Sequence, residues 1–199
     1  MTAPEPCPPP TGTTLLDRAV LGAHAVDVAP RLLGVLLVHG PCVGRIVEVE
    51  AYGGGDDDAS HARNGRTARN ASMFGPPGTL YVYFTYGMHH CANVVTGACG
   101  DGQAVLIRAV EPVAGLPEMR SRRGPAARRD AGLADGPGKV CQAFDLHRRH
   151  DGLDLCAPAA RGAPMLCTDG TPPLSWTATP RIGIRRATER PWRFVAARR

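Results

Sequence analysis

Arg45-Ile46-Val47-Glu48-Val49-Glu50-Ala51-Tyr52 alternates apolar and polar side chains from Val47 onward. A strand turns successive side chains to opposite faces. Glu48, Glu50 and Tyr52 therefore share one face, and Val47, Val49 and Ala51 share the other, which reads as core. The first face sets two carboxylates beside an aromatic ring. A lone Glu in such a pattern usually belongs to a solvated face on an edge strand. The residues after Tyr52 favour chemistry instead. Gly53-Gly54-Gly55 breaks the strand, and Asp56–Asp58 and then His61 gather ionisable groups near its end, a common place for functional residues.

Working outward, Thr79–Tyr86 reads as a second strand, rich in aromatic and β-branched residues. Tyr86-Gly87-Met88 turns it, and His89–Val95 returns as its hairpin partner. Gln103–Val110 is a further strand; Glu111-Pro112 ends it and starts a helix through Arg123. Leu15–Val28 has Leu16, Val20 and Ala23 at helical spacing, and Gly138–Phe144 is a short helix behind Gly136-Pro137. Pro125–Pro137 and Asp151–Cys167 read as loops, and Arg181–Ile184 and Arg193–Val195 as late short strands. Short strands joined by hairpins, with separate helices, predict an α+β fold. The expectation is a single compact domain over 14–199: an antiparallel curved sheet or open barrel-like core, helices packed around it and a protruding hairpin. The Pro-rich stretch 1–13 reads as a disordered tail. No Gly-x-Gly-x-x-Gly and no phosphate-binding loop occurs.

The 199 residues carry a formal charge of +5, unevenly spread. Arg181–Arg199 holds seven arginines against Glu189 alone, and Arg120, Arg122, Arg123, Arg128 and Arg129 form a second cluster; Lys139 is the only lysine. An Arg-rich surface composition accounts for both. So do two phosphate-contacting patches, since the guanidinium fork suits phosphate. Seven cysteines without a Cys-x-x-Cys pair make neither a zinc ribbon nor a secreted disulfide framework. Reduced thiols, the lack of a secretory signal and the lack of an apolar run near the roughly 20 residues of a membrane span place the chain in the cytoplasm, without a membrane partner.

The four tyrosines stand at 52, 81, 83 and 86. A hairpin that buries its rings is the bland reading. Tyr86, however, sits beside a turn glycine, placed to protrude as a wedge, and flat rings near a basic surface suit base stacking. Arg108 interrupts the apolar run Val105–Val110. A buried Arg needs an acid or an anionic ligand, so it makes a structural ion pair, meets Glu50 or meets a backbone phosphate. Asp56, Asp57, Asp58, His61, His89, His90 and Cys91 supply metal-binding atoms for a competing metal-dependent hydrolase, although adjacent His89 and His90 point to opposite faces. A lesion-binding or bent-DNA-binding protein without catalysis would keep the tyrosines and arginines but leave Glu50 without a role.

These stretches together resemble the alkyladenine, or 3-methylpurine, DNA glycosylase family. The match runs through Arg31–Gly34, Gly44–Tyr52, Ala59–His61, Arg69-Asn70, Met73-Phe74, Pro77–Met88 and Cys91–Asn93. It continues in Val105–Pro112, Gly136–Ala143, Thr179–Ile184 and Pro191–Phe194. The block from Gly44 to Asn93 is the specific part. The resemblance implies a monofunctional glycosylase that flips damaged purines out of duplex DNA and hydrolyses the N-glycosidic bond, as a monomer and without a cofactor or metal. It implies that Glu50 is the general base and that Arg108 helps to hold the water and the DNA. Tyr52, His61 and Tyr83 would sandwich the flipped base, and Asn93 would exclude the exocyclic amine of guanine. Tyr86 would be the wedge inserted by the hairpin into DNA, with Met88 and His89 flanking it in the minor groove. His89-His90 stands where some members carry an aromatic pair. Lys139 lies in a different segment from the site, which implies no Schiff-base lyase step.

Overall fold

The computed structural model describes residues 6–85, 87–127, 129–157, 159–160, 162–172 and 174–197. In chain order its strands are β1 (Pro6–Cys7), β2 (Thr14–Leu15), β3 (Leu36–His39), β4 (Cys42–Tyr52), β5 (Leu80–Thr85), β6 (His89–Thr96), β7 (Gln103–Ala114), β8 (Ala159–Ala160), β9 (Met165–Thr168), β10 (Trp176–Thr179) and β11 (Arg193–Ala196). Three α-helices accompany them: α1 (Ala25–Leu32), α2 (Leu116–Arg123) and α3 (Pro137–Ala143). All the strand pairings are antiparallel. Nine strands form one sheet in the order β2-β9-β3-β4-β7-β6-β5, with β11 joined to β4 and β10 to β11, and β1 pairs separately with β8. The sheet curls into a half-barrel, so the α+β class and the single compact body read from the sequence stand. Among the described residues no helix is long and apolar enough to cross a membrane.

β4 is the spine. β7 lies along one side of it, while β3 and then β11 lie along the other. It is therefore a central strand, and the solvated edge face is excluded. Its alternation is broken once. Ile46 faces Val110, Glu48 faces Ala109 and Val49 faces Ile107, so Val47 on β4 and Arg108 on β7 are each left without an opposite number. Such bulges re-aim side chains. Before this point Cys42 and Ile46 are buried; after it Val49 and Ala51 are. Val47, expected in the core, sits at the phase change and is only half-buried.

The expected helix over Leu15–Val28 is divided. Leu15 pairs in β2, Asp17 caps a short 3-10 turn at Arg18–Leu21, and Gly22 ends that turn. The His24 ring then accepts the Val26 N–H and starts α1, which buries Ala25, Val28, Ala29 and Leu32. These polar caps override the apolar spacing. Pro112 does not end β7 either. It pairs with Gly44 beside another bulge, at Val113, and the strand runs on to Ala114 before Gly115 (φ 74°) turns it into α2. Arg181–Ile184 is not a strand; the late strand lies at Trp176–Thr179. The core is filled by Leu21, Leu32, Ile46, Leu80, Ile107 and Phe144 among others, with α1 against β4 and α3 against β6.

Candidate active site

Strands β4, β5, β6 and β7 bring Glu50, Tyr52, Tyr83, Asn93 and Arg108 to one cavity of about 640 Å³, which His61 joins from the loop after β4. Glu50 is fully buried. One carboxylate oxygen, Oε1, accepts the Ile182 backbone N–H at 2.7 Å and lies 3.3 Å from Nη1 of Arg108. The other, Oε2, accepts the Tyr52 hydroxyl at 2.9 Å. Arg108 also donates through Nε to Glu48 at 2.9 Å, and Arg193 donates to the same Glu48 oxygen at 2.6 Å. Of the partners left open for Arg108, the structure shows both neighbouring acids. Glu48 anchors two guanidiniums, and one of them leans on Glu50.

The rings form the walls. Burial, and then the Glu50 carboxylate, push the Tyr52 phenol far above its ordinary value, so it remains a donor. Burial does the same for Tyr83. His61 meets Tyr83 edge to face at 4.5 Å between ring centres, and its Nδ1 pairs with the Tyr81 hydroxyl at 2.9 Å. The surrounding protein, and then the Arg69 guanidinium, hold His61 below its ordinary pKa and favour the neutral ring. Tyr81 shares the β5 face with Tyr83 and is 1% exposed, its phenol pushed up to about 12 by burial. The sequence reading assigned it no role, although the spacing of two placed it beside Tyr83. Asn93 is buried opposite Tyr81 across the hairpin and donates Nδ2 to its carbonyl at 3.0 Å, which fixes the orientation of the amide.

At the hairpin tip Met88 is 68% exposed, His89 is exposed and Gly87 takes φ 67°. His89 lies against Gly138 at the start of α3, where an added Cβ would come within 3.0 Å of the ring. Tyr86, the expected wedge, lies outside the described residues, as do Arg128, Arg198 and Arg199.

Two readings of charge are corrected. Arg181 does not belong to a phosphate-contacting arm: it is 5% exposed and bound to Asp57 through its two terminal guanidinium nitrogens, at 2.5 and 2.8 Å. Arg193 is committed to Glu48. In the mid-chain cluster, Arg122 donates to the Ala143 carbonyl and Arg123 to the Leu133 carbonyl. Arg185 and Arg186, by contrast, are exposed at the cavity mouth. The Asp–His–Cys residues weighed as metal ligands do not converge. Asp57 serves Arg181 and His61 serves Tyr81, and no group of three or more His, Cys, Asp or Glu residues suited to an ion occurs among the described residues.

A buried carboxylate on the lining of an aromatic-walled cleft suits acid–base chemistry on a flat ring that the walls can hold. A model of the methylpurine-DNA glycosylase family matches residues 19–199. A Burkholderia lata protein named "Putative 3-methyladenine DNA glycosylase" is 49% identical over 181 residues, covering 90% of this chain and 86% of its own. Proteins of the same name from Streptomyces avermitilis (47% over 188 residues, covering 91% and 87%) and Frankia casuarinae (45% over 196 residues, covering 94% and 89%) align similarly. The chain belongs to the methylpurine-DNA glycosylase family and is a DNA glycosylase, a DNA-repair hydrolase acting on N-glycosyl bonds.

Proposed function

We propose that the chain excises alkylated purines from duplex DNA by direct hydrolysis, with Glu50 activating the attacking water. The observation that carries this reading is the setting of Glu50: a fully buried carboxylate, oriented by Tyr52, Arg108 and the Ile182 N–H, on a cavity walled by Tyr52, His61 and Tyr83. A base inside a duplex cannot reach such a cleft, so the nucleotide is flipped out, costing a few kcal/mol of unstacking. Stacking returns about 1–3 kcal/mol per base, and cationic alkylpurines gain further from aromatic faces. Tyr86 is the wedge that enters the gap, and the exposed Met88 and His89 flank it in the minor groove. Arg185 and Arg186 stand at the rim for backbone phosphates. Asn93, its amide held by the Tyr81 carbonyl, stands against the exocyclic amine of guanine and so limits removal of the undamaged base. Cleavage passes through an oxocarbenium-like sugar, which the Glu50 carboxylate stabilises as it takes a proton from water. Lys139 is tied to Asp135 at 2.6 Å and is no part of the cavity lining, which supports a monofunctional enzyme. The same setting counts against a DNA-binding protein without catalysis, which has no use for a donor-oriented buried acid.

The test is incubation with duplexes containing 7-methylguanine, hypoxanthine or 1,N6-ethenoadenine, followed by alkali. Alkali-dependent breaks at the lesion are expected, and in Glu50→Gln their rate falls by roughly 10²–10⁴-fold. No breaks with any of these lesions, or full turnover by Glu50→Gln, defeats the reading. Breaks that appear without alkali show a lyase and defeat the monofunctional assignment.

A further inference from the structure

The Arg181–Asp57 pair takes no part in the hydrolysis itself, yet both of its side chains are fully shielded from solvent. A buried ion pair is a poor stabiliser, because apolar residues of equal volume often do as well. What it supplies is direction, through a bidentate fork. Each group around it belongs to a segment that builds the site. Arg181 Nη1 also donates to the carbonyl of Ala51, the residue after Glu50, at 2.9 Å. Nη2 reaches the carbonyl of Ala187 at 3.4 Å. Asp57 in turn accepts the N–H groups of Gly53 and Ala59 at 3.2 and 3.1 Å, fixing the loop that leads to His61. The guanidinium lies over the Tyr52 ring at 4.8 Å and over the Trp192 ring at 5.1 Å.

The strap 182–187 comes next in the chain. Its first N–H, that of Ile182, is the backbone donor on Glu50 Oε1. Ile182, Ile184 and Arg186 line the cavity mouth. The strap closes at Ala187, which holds φ 49°, a left-handed conformation that costs a residue with a Cβ roughly 1–2 kcal/mol and persists only where its surroundings enforce it. The Arg181 contact to the Ala187 carbonyl is such an enforcement. Burial would raise the Asp57 carboxyl, but the hydrogen bonds and charge of Arg181 outweigh it and hold the group below the usual carboxylate range, so the pair stays charged.

We propose that the buried Arg181–Asp57 pair is a positioning clamp that seats the 182–187 strap against β4 and so holds the Ile182 N–H on Glu50 and the Tyr52 ring in place for water activation. Neither residue touches the reacting atoms; both act through Glu50, and the proposal rests on Glu50 being the base.

The experiment uses the full chain with a 1,N6-ethenoadenine or 7-methylguanine duplex, in wild type, Asp57→Asn, Arg181→Lys and Arg181→Met. Single-turnover excision, lesion-duplex Kd and thermal unfolding are measured together. Folded variants are expected to excise at least tenfold more slowly, a loss larger than any they show in Kd, with Arg181→Lys losing less than Arg181→Met. In a Glu50→Gln background Asp57→Asn is expected to cause no further loss, because its effect passes through the group already removed. A folded Asp57→Asn that excises within threefold of wild type overturns the clamp. So does an equal fold-loss in both backgrounds, which marks a merely structural pair. Should the pair variants fail to fold, Ile182→Pro deletes the N–H at an exposed side chain and keeps both side chains of the pair. A tenfold slowing at unchanged Kd then supports the clamp, and an unchanged rate overturns it. Wild-type protein inert on every lesion duplex defeats the assignment of the base, and the clamp with it, an outcome separate from an active wild type with indifferent variants.

Discussion

Glu48 and Glu50 lie two positions apart on one strand face, yet the structure gives them different work. Glu48 holds two arginines, Arg108 and Arg193, and retains some exposure; Glu50 is sealed and faces the cavity. Their neutral variants should therefore fail in opposite ways. Glu48→Gln removes the charge that anchors both guanidiniums, a loss of about 1.5–3 kcal/mol for hydrogen bonds to a charged group, or about 2–4 °C in Tm per kcal/mol for a chain of this size. It should still excise at a readily measured rate. Glu50→Gln should lose excision and keep most of its Tm, because Arg108 retains Glu48. Unfolding scans beside single-turnover assays decide the matter, and equal behaviour of the two variants rejects the division. The sequence showed both acids on one face and Tyr52 with them, because period two is a property of the strand itself. It could not show that Arg181 belonged with Asp57. That pairing joins residues 124 positions apart, and an arginine in a stretch of 19 residues that holds seven carries no local mark of burial.

The elements legible from sequence are those whose pattern and neighbourhood agree. β4 alternates on either side of its bulge, β5 is rich in aromatic and β-branched residues, and the β5–β6 turn carries its glycine. The first helix and the end of β7 were misplaced because capping by Asp17 and His24, and a bulge that accommodates Pro112, outweigh periodicity there. The same bulged region yields a test at Gly44. A Cβ at that position would sit 2.4 Å from Val110 Cγ1, 2.9 Å from Phe144 Cζ and 3.0 Å from the Glu111 carbonyl oxygen. The close approach of β4 to β7 and to Phe144, the residue after α3, thus depends on the missing side chain. Gly44→Ala should destabilise by about 1–3 kcal/mol, as overpacking does, visible as a lower denaturant midpoint with an unchanged m-value. A midpoint equal to wild type would show that the two strands part there without cost.

For the whole molecule, the charge count misled by treating arginines as surface. Arg181 and Arg193 are bound to acids, and among the described residues lining the cleft the exposed arginines are Arg185 and Arg186, with Arg63 partly exposed. Histidines show a similar convergence of distant segments. His39 from β3 meets His150 at 4.9 Å between ring centres, and His147 stacks near His150 at 6.3 Å. Burial first, and then the neighbouring His39, hold the His150 imidazole down to about 4 from 6.5, with Arg149 and His147 adding to this and Asp145 opposing it. Between those two values the unfolded chain binds the extra proton. The stability linked to His150 is therefore complete above pH 6.5 and is lost as pH falls through 4. Tm should decline across that window, and His150→Gln, which has no proton to gain, should flatten the decline by on the order of 1 kcal/mol, or about 2–4 °C. The other titrating residues are common to both proteins, so the difference between the curves reads His150 together with its interactions with the charges around it. Tm–pH curves that run parallel from 6.5 to 4 would mean that the buried ring accepts its proton without strain on the fold.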